Sequence, residues 1–446
     1  MRTTATFFTS ALIVGSLFCP SAARAQVITG GSNHSLSICN DHTLKAWGSN
    51  TDGQLGDGTT TDHFTPTAVP GMTGVIKVDG GNWHTVALKS DGTVRAWGLN
   101  RKGQLGDGTT VDRHSPVTVS GLSNITSVCA GSEHSIALKN DGTVWTWGWN
   151  ADGQIGDGTT TDRITPFQVP GLSSVIAVSA GEYHSLALKS DGTVWKWGSG
   201  ITTPAMVPGL SGITAIASGE FHFVALKSDG TVWVWGGNNL NGEYGNGTSG
   251  SAAAPVQVST LTGITKIAAG MTHSIARKSD GTVWGWGLNN WGQLGDGTTT
   301  TRTTPVQATG LTGVVNVAAG DVHSFAVKTD GSLKAFGSNI SGQIGNGTAF
   351  NNYTTPITVA LCPVLSVKEE EAGKIMVSVY PNPATDNLVI ETDEKIKIAG
   401  CMNALGQSVN VRMENNTIDI SGLPNGIYFL NITSETGSGT AKFIKQ

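Results

Sequence analysis

Apolar and polar positions alternate in short bursts along most of the chain. In "HTVALKSDGTVRAWG", His84 to Gly98, two runs, Thr85–Lys89 and Thr93–Trp97, repeat with a period of two and are joined by Ser90-Asp91-Gly92. That period sends successive side chains to opposite faces of a strand, and a Gly after Asp accepts the positive φ of a tight hairpin turn. "SPVTV" and "ITSVCAG" add two more β-rich runs, separated by a Gly-Leu turn. No segment sustains a helical period, so the chain reads as all-β.

The four-run pattern recurs. "GSNHS" at Gly31 returns as "GNWHT", "GSEHS", "GEYHS", "GEFHF", "GMTHS" and "GDVHS", placing histidines at His34, His84, His134, His184, His222, His273 and His323, at intervals of 50, 50, 50, 38, 51 and 50 residues. Four strands in each ~50-residue unit, seven times over, predict a seven-bladed β-propeller around a central channel. The short interval has a single source: Gly148 to Pro166 spans 18 residues, and its counterpart Gly198 to Pro204 only 6. The missing 12 residues correspond to "NADGQIGDGTTT", and a segment dispensable while its flanking strands persist reads as a surface connection. The opening "VITGG", Val27 to Gly31, matches the end of a unit such as "VIKVDGG". Val27 to Thr29 is therefore expected to supply the last strand of the blade begun at His323. Cys39 and Cys362 would then fall on adjoining blades, where a disulfide between them is the expectation.

Composition changes the picture mainly at the ends. Residues 1–25 have a basic start at Arg2, an apolar run from Phe7 to Phe18 and a small-x-small close at Ala23-Arg24-Ala25, which predicts a secretory signal cleaved between Ala25 and Gln26. Cys19 raises the alternative of a lipid-modified cysteine, which Phe18 and Pro20 fit poorly. No other run reaches the ~18 apolar residues of a membrane helix. Loss of Arg2 and Arg24 leaves 25 basic against 32 acidic residues, a net charge of −7, so nucleic acid is not an expected partner. The four remaining cysteines allow three full pairings and have no metal-ligand spacing.

The recurring "G-x-x-H-S-x-A-L-K-x-D-G-x-V-x-x-W-G-x-N-x-x-G-Q-L-G-x-G" resembles the repeat of the regulator of chromosome condensation family from about Gln26 to Cys362. The resemblance implies a seven-bladed propeller over 26–362. The family's founding members exchange nucleotide on a small nuclear GTPase through loops and an inserted hairpin; the units here are almost free of insertions and the chain carries export signals. Secreted relatives, among them a propeller that docks one loop face onto β-lactamases, resemble it better.

After Cys362 the composition shifts. "SVKEEEAGK" reads as a solvated linker, 363–374, and 375–446 as short strands of a small β-sandwich, with turns at Pro381–Pro383, Ala404–Gly406 and Leu423–Gly426. "YPNP", a lone Gly406, "LPNGIYFL" and the closing "KFIKQ" resemble the C-terminal sorting domain of the type IX secretion system of Bacteroidota. The residues that carry it are Tyr380, Pro381, Asn382, Pro383, Gly406, Leu423, Gly426, Tyr428 and Lys445. The resemblance implies passage through the periplasm, contact with the type IX machinery, and release or attachment at the outer surface. An ordinary terminal adhesion sandwich is the alternative.

Candidate chemistry is sparse. The seven histidines are expected to satisfy backbone groups, because equivalent positions on different blades stand too far apart for one zinc site. Trp47, Trp97, Trp147, Trp197, Trp235 and Trp286, with Phe336, are expected in interblade cores. "NTDGQLGDG" lacks the closing Glu of a calcium loop and the Lys-Ser/Thr of a phosphate loop, so no cofactor or metal is expected. No nucleophile elbow or separate acid pair points to catalysis. Variation concentrates in the two residues before each histidine. Trp83, Glu133, Glu182, Tyr183, Glu220, Phe221, Met271 and Asp321 are predicted to share one loop face and bind an extracellular partner protein. The alternatives are a carbohydrate-active or hydrolytic surface enzyme with a site assembled from several blades, and a purely structural ring.

Overall fold

The computed structural model describes residues 27–237, 239–361, 373–374, 377–392, 395–396, 398–403, 408–434 and 437–446. The chain divides into two compact units, Met1–Cys362 and Pro363–Gln446. The expected signal cleavage at Ala25 and Gln26 and most of the 363–374 linker lie outside the described residues.

Seven four-stranded antiparallel sheets make up the first unit. In the second blade, Val75–Gly80, His84–Lys89, Val94–Gly98 and Arg113–Thr118 follow one another in space as in sequence, with Gly80 opposite Thr85 and Thr85 opposite Trp97. The hairpin forms because Gly92 adopts φ +80° while the Asp91 carboxylate accepts from the Thr93 amide at 2.9 Å and its hydroxyl at 2.6 Å. The central strands bury both faces. In the core shared by blades two and three, Val86, Leu88 and Leu105 pack with Ala137 and Trp147. All six repeated tryptophans and Phe336 are fully buried.

Ring closure differs from the sequence expectation. Val27–Gly30 pairs with His34–Ile38, Val27 opposite Ile38, as the inner strand of the first blade. The seventh blade holds four strands of its own, Val314–Ala319, His323–Lys328, Leu333–Asn339 and Asn351–Val359. The cause is the turn before each histidine: the Gly31 amide donates to the His34 carbonyl at 2.9 Å, a link so tight that the strand before it must pair within the same sheet. The ring closes instead through side chains and loops. Trp47 Nε1 donates to the Gln343 carbonyl at 2.9 Å, Ser35 Oγ meets His323 Nε2 at 3.1 Å, and the Asp321 amide donates to the Gly31 carbonyl at 3.2 Å. Cys39 is disulfide-bonded, and Cys129 and Cys401 are free. The partner expected for Cys39, Cys362, lies outside the described residues.

The second unit is a small sandwich. One sheet runs in the order 373–374, 437–445, 426–433, 398–403, 408–409, and the other 378–380, 387–391, 417–419, 412–414. Leu388, Ile390, Ile418, Leu430, Ile432 and Phe443 form its core. Of the sorting residues, Asn382 bridges to the last strand, its Nδ2 donating to the Lys442 carbonyl and its Oδ1 accepting from the Ile444 amide. Tyr428 is buried, and its hydroxyl donates to the Pro424 carbonyl at 2.8 Å. Tyr380 is exposed, while Lys445 is buried along its stem with Nζ on the Gln446 carbonyl. Leu423 packs against the core, Gly426 opens a strand, and Pro381 and Pro383 both follow cis peptide bonds. Gly406 lies outside the described residues.

Candidate functional site

The repeated loop is only partly a surface turn. Asn50, Gln54 and Leu55 at its base are buried, while Thr51 and the Gly58–Thr61 tip are exposed. Asn50 is the hub: its Nδ2 donates to the Thr59 and Thr61 carbonyls, and its Oδ1 accepts from the Leu55 amide. Asp57 accepts from the Thr59 amide and hydroxyl and from Asn50 Nδ2, and lies 2.6 Å from His63 Nε2. Its oxygens are thus directed at donors within the loop. Among the described residues no cluster of His, Cys, Asp and Glu is arranged to hold a metal ion.

The same loop wires one blade to the next. The Gln54 carbonyl accepts from Trp97 Nε1 at 2.9 Å and from Thr85 Oγ1 at 2.8 Å, both in the following blade. Gln104, Gln154, Glu243 and Gln343 place their carbonyls likewise on Trp147, Trp197, Trp286 and Trp47. The histidines add a second wire. His84 Nε2 meets Ser135 Oγ of the next blade at 2.9 Å, and the pattern repeats at His34, His134, His222, His273 and His323. The histidines are therefore structural, but their partner is a neighbouring hydroxyl where backbone had been expected. Burial holds all seven rings neutral, their pKa lowered to about 3 or 4.

The junction between blades four and five lacks both wires. Blade four has lost the loop, so Trp235 Nε1, fully buried, has no acceptor. Phe223 stands where the other blades carry Ser or Thr, so His184 has no hydroxyl to meet and instead packs on the Phe223 ring, centroids 4.2 Å apart. Phe223 also stacks on Trp235 at 5.2 Å and joins the apolar core there, in the role Leu55 has in the first junction. Outside Phe223 a cavity of about 550 Å³ remains, lined by Asp152, Tyr183, Lys196, Ser199, Phe221 and Gly236 among others.

The predicted face separates into two zones. The first member of most pairs, including Glu182, Glu220, Met271 and Asp321, lines the channel, a cavity of about 300 Å³. Tyr183 and Phe221 turn outward into the blade four slot, stacked at 5.3 Å and 17°, with Trp149 edge-on to Tyr183 at 5.8 Å. Trp83 is exposed on blade two and joins no aromatic pair among the described residues, and Glu133 is half-buried on blade three. Asp152, Lys196, Phe223 and Trp149 escaped the sequence reading; the signals were the 12-residue deletion and the Phe in "GEFHF".

Crowded carboxyls give the channel mouth its electrostatics. Desolvation, then the neighbouring Glu182 and Asp321, raise Glu220 to about 7. Desolvation raises Asp321 to about 6 against a hydrogen bond from Ser32, and burial also raises Glu133. The Tyr183 phenol is pushed up to about 12 by its hydrogen bond to Glu182. The rim therefore carries fewer charges near neutral pH than its count of acids implies.

Repeated four-stranded blades wired by a Trp-Gly loop define a class, and sequence models identify it. The model of the regulator of chromosome condensation (RCC1) repeat matches residues 41–88, 91–138, 141–188, 229–277 and 280–327, together more than half of the chain. A second model of the same repeat matches 27–54, 75–104, 125–154, 213–243, 264–293 and 314–343; both omit 189–212, the shortened part of blade four. The chain belongs to the RCC1 repeat family. Its last segment, 378–446, matches the secretion system C-terminal sorting domain, which indicates export by the type IX system to the cell surface or beyond. No curated protein matches by sequence. Among solved structures, human WBSCR16 is similar at 25% identity and a TM-score of 0.60, over 66% of this chain and 83% of that one. Prp20p from Saccharomyces cerevisiae, described with its binding to Gsp1p and histones, is similar at 23% identity and 0.64, over 74% and 86%. Yeast RCC1 (Prp20) as bound by Kap60 is similar at 22% and 0.65, over 81% and 91%. The two yeast structures support the fold alone.

Proposed function

We propose that the mature chain is a secreted or surface-displayed binding protein whose propeller face recognises an extracellular partner protein, delivered there by its C-terminal domain. The observation that carries this reading is the Trp149–Tyr183–Phe221 cluster, large rings held by a rigid scaffold beside an open slot. Stacked aromatics lose little rotamer entropy on binding and dominate interface energetics where a pocket desolvates them. The test replaces Trp83, Tyr183 and Phe221 together with Ala in the full chain. Capture of partners from host or neighbouring-cell extracts is expected to be lost with melting unchanged; undiminished capture refutes the reading.

One observation favours a second reading, a hydrolytic or carbohydrate-active surface enzyme with a site assembled from several blades. Glu220, raised to about 7, is hydrogen-bonded to Glu182, so the two carboxyls share a proton as an acid and its conjugate base. Turnover of a glycan panel that disappears in Glu220→Gln would establish it.

A further inference from the structure

We infer that the slot between blades four and five takes an acidic residue flanked by an aromatic one from the partner polypeptide, with the Lys196 ammonium as the ion-pair anchor. The inference rests on the reading of this face as a protein-recognition surface and specifies the chemistry that the surface selects.

Lys196 occupies a strand position that the other six blades give to a small or apolar residue. Its counterparts are Ala46, Ala96, Thr146, Val234, Gly285 and Ala335, all buried. In those blades the repeated loop closes over the position: Ala46 shares a core with Leu55, Ala96 shares one with Leu105, and the Thr146 hydroxyl donates to the Ile155 carbonyl at 2.7 Å. Blade four lacks the loop, so a long cationic side chain stands at the point that the deletion uncovers. Lys196 is half-buried and lines the cavity, as do Asp152, Tyr183 and Phe221. A ligand that enters the slot therefore meets all four directly.

The two charges there are not neutralised within the protein. Neither Lys196 nor Asp152 makes an ion pair among the described residues. The Lys196 Nζ lies 5.7 Å from the Phe223 ring centroid, a contact that leaves its donors without a carboxylate. An incoming carboxylate gains a charge-assisted hydrogen bond beside an apolar wall, where water screens it less than on open surface. Asp152 is an acceptor for the amide N–H groups that a polypeptide carries next to that carboxylate. Tyr183 and Phe221 offer edge-to-face contact to an aromatic neighbour. A sugar acid suits the same walls less well. Phe221 lies against Tyr183 and Phe223 against Trp235, at 17° and 21° between planes, so each has a stacking face already covered by protein.

Calorimetric titration of the full chain with the blocked peptides acetyl-GFDFG-amide and acetyl-GFNFG-amide, which differ by one carboxylate, tests this. The Asp peptide is expected to saturate and to bind about tenfold more tightly than the Asn peptide at low salt, with the margin shrinking as salt is raised. Lys196→Met keeps the apolar stem and removes the charge. It is expected to bring the Asp peptide to the affinity of the Asn peptide and to leave the Asn peptide unchanged. No saturation by the Asp peptide up to about 10 mM, equal affinity of the two peptides for the unaltered chain, or an Asp preference that survives Lys196→Met overturns the inference. So does saturable binding of trigalacturonate, an acidic sugar, when neither peptide binds. Because the aromatic triple variant reads capture of whole partners and the peptide pair reads Lys196, this anchor can fail while the recognition face stands.

Discussion

Acidification is expected to unfold the propeller, and the histidine ring sets how steeply. All seven imidazoles are buried and neutral, with folded pKa values of about 3 or 4 against an ordinary 6.5. Above pH 6.5 neither state binds these protons and the stabilisation is complete. As pH falls from 6.5 toward 4 the unfolded chain takes up protons that the folded ring refuses, so stability is lost on acidification. At pH 5.5 each such histidine costs about 1.4 kcal/mol, and seven cost on the order of 10 kcal/mol, comparable with the whole stability of many domains. The channel carboxyls act in the opposite sense. Glu220 and Asp321, raised to about 7 and 6, and Glu133 and Asp79, also raised, bind protons in the folded state first, so each adds stability as pH falls through its folded value. Solvent screening at the half-exposed rim reduces their share. About two protons on Glu220 and Asp321, with Glu133 and Asp79 acting in the same direction, against seven histidine protons leave a net uptake of at most about five on unfolding, a slope of up to roughly 7 kcal/mol per pH unit near pH 5.5. Urea midpoints followed by tryptophan fluorescence at pH 7.5, 6.5 and 5.5 read this directly. A midpoint that stays level or rises between pH 7.5 and 5.5 refutes the reasoning.

Two further substitutions probe the scaffold. Asn150→Ala removes the loop hub, whose amide bonds the Thr159 and Thr161 carbonyls and the Ile155 amide, and is expected to cost roughly 2 to 4 kcal/mol by urea unfolding. An unchanged midpoint would show that the loop contributes nothing to the ring. Phe443→Ala empties the centre of the C-terminal sandwich, where the ring is fully buried and stacked on Tyr428 at 5.5 Å, and is expected to cost about 3 to 5 kcal/mol. Export to the medium should fall with it; export unchanged alongside a destabilised domain would separate sorting from folding.

Much of this molecule can be read from the repeat. Alternation and Asp-Gly turns locate the strands, and the recurring Trp that closes the third strand of six units, with Phe336 in the seventh, marks each interblade core, because both depend on local chemistry that the period preserves. A cyclic period, however, does not say where a blade begins. "VITGG" fits the end of one unit as well as the start of the next, and only the three-residue turn before His34 decides between them. Burial of polar residues is also hidden. Asn50 and Gln54 lie in a stretch whose composition reads as solvent-exposed, yet they are inside because their hydrogen bonds are met within the loop and across the junction. The aromatic residues of the proposed recognition face are visible in the sequence, but not that Tyr183 and Phe221 meet while Trp83 stands apart. Tyr183 and Phe221 both line the cavity at the junction where the loop is missing.

Because every blade is a contiguous segment and the first and last are joined through Trp47, Ser35 and Asp321 with no shared strand, the ring has no privileged starting point. Its seam differs from the other junctions in covalent connection, not in the pairing of its strands. Whole units can therefore be copied, dropped or shortened in the gene without orphaning half a sheet, and blade four, twelve residues shorter than its neighbours, keeps its four strands. In this architecture a turn can be absent while its blade keeps all four strands, and what changes is only the surface between that blade and the next.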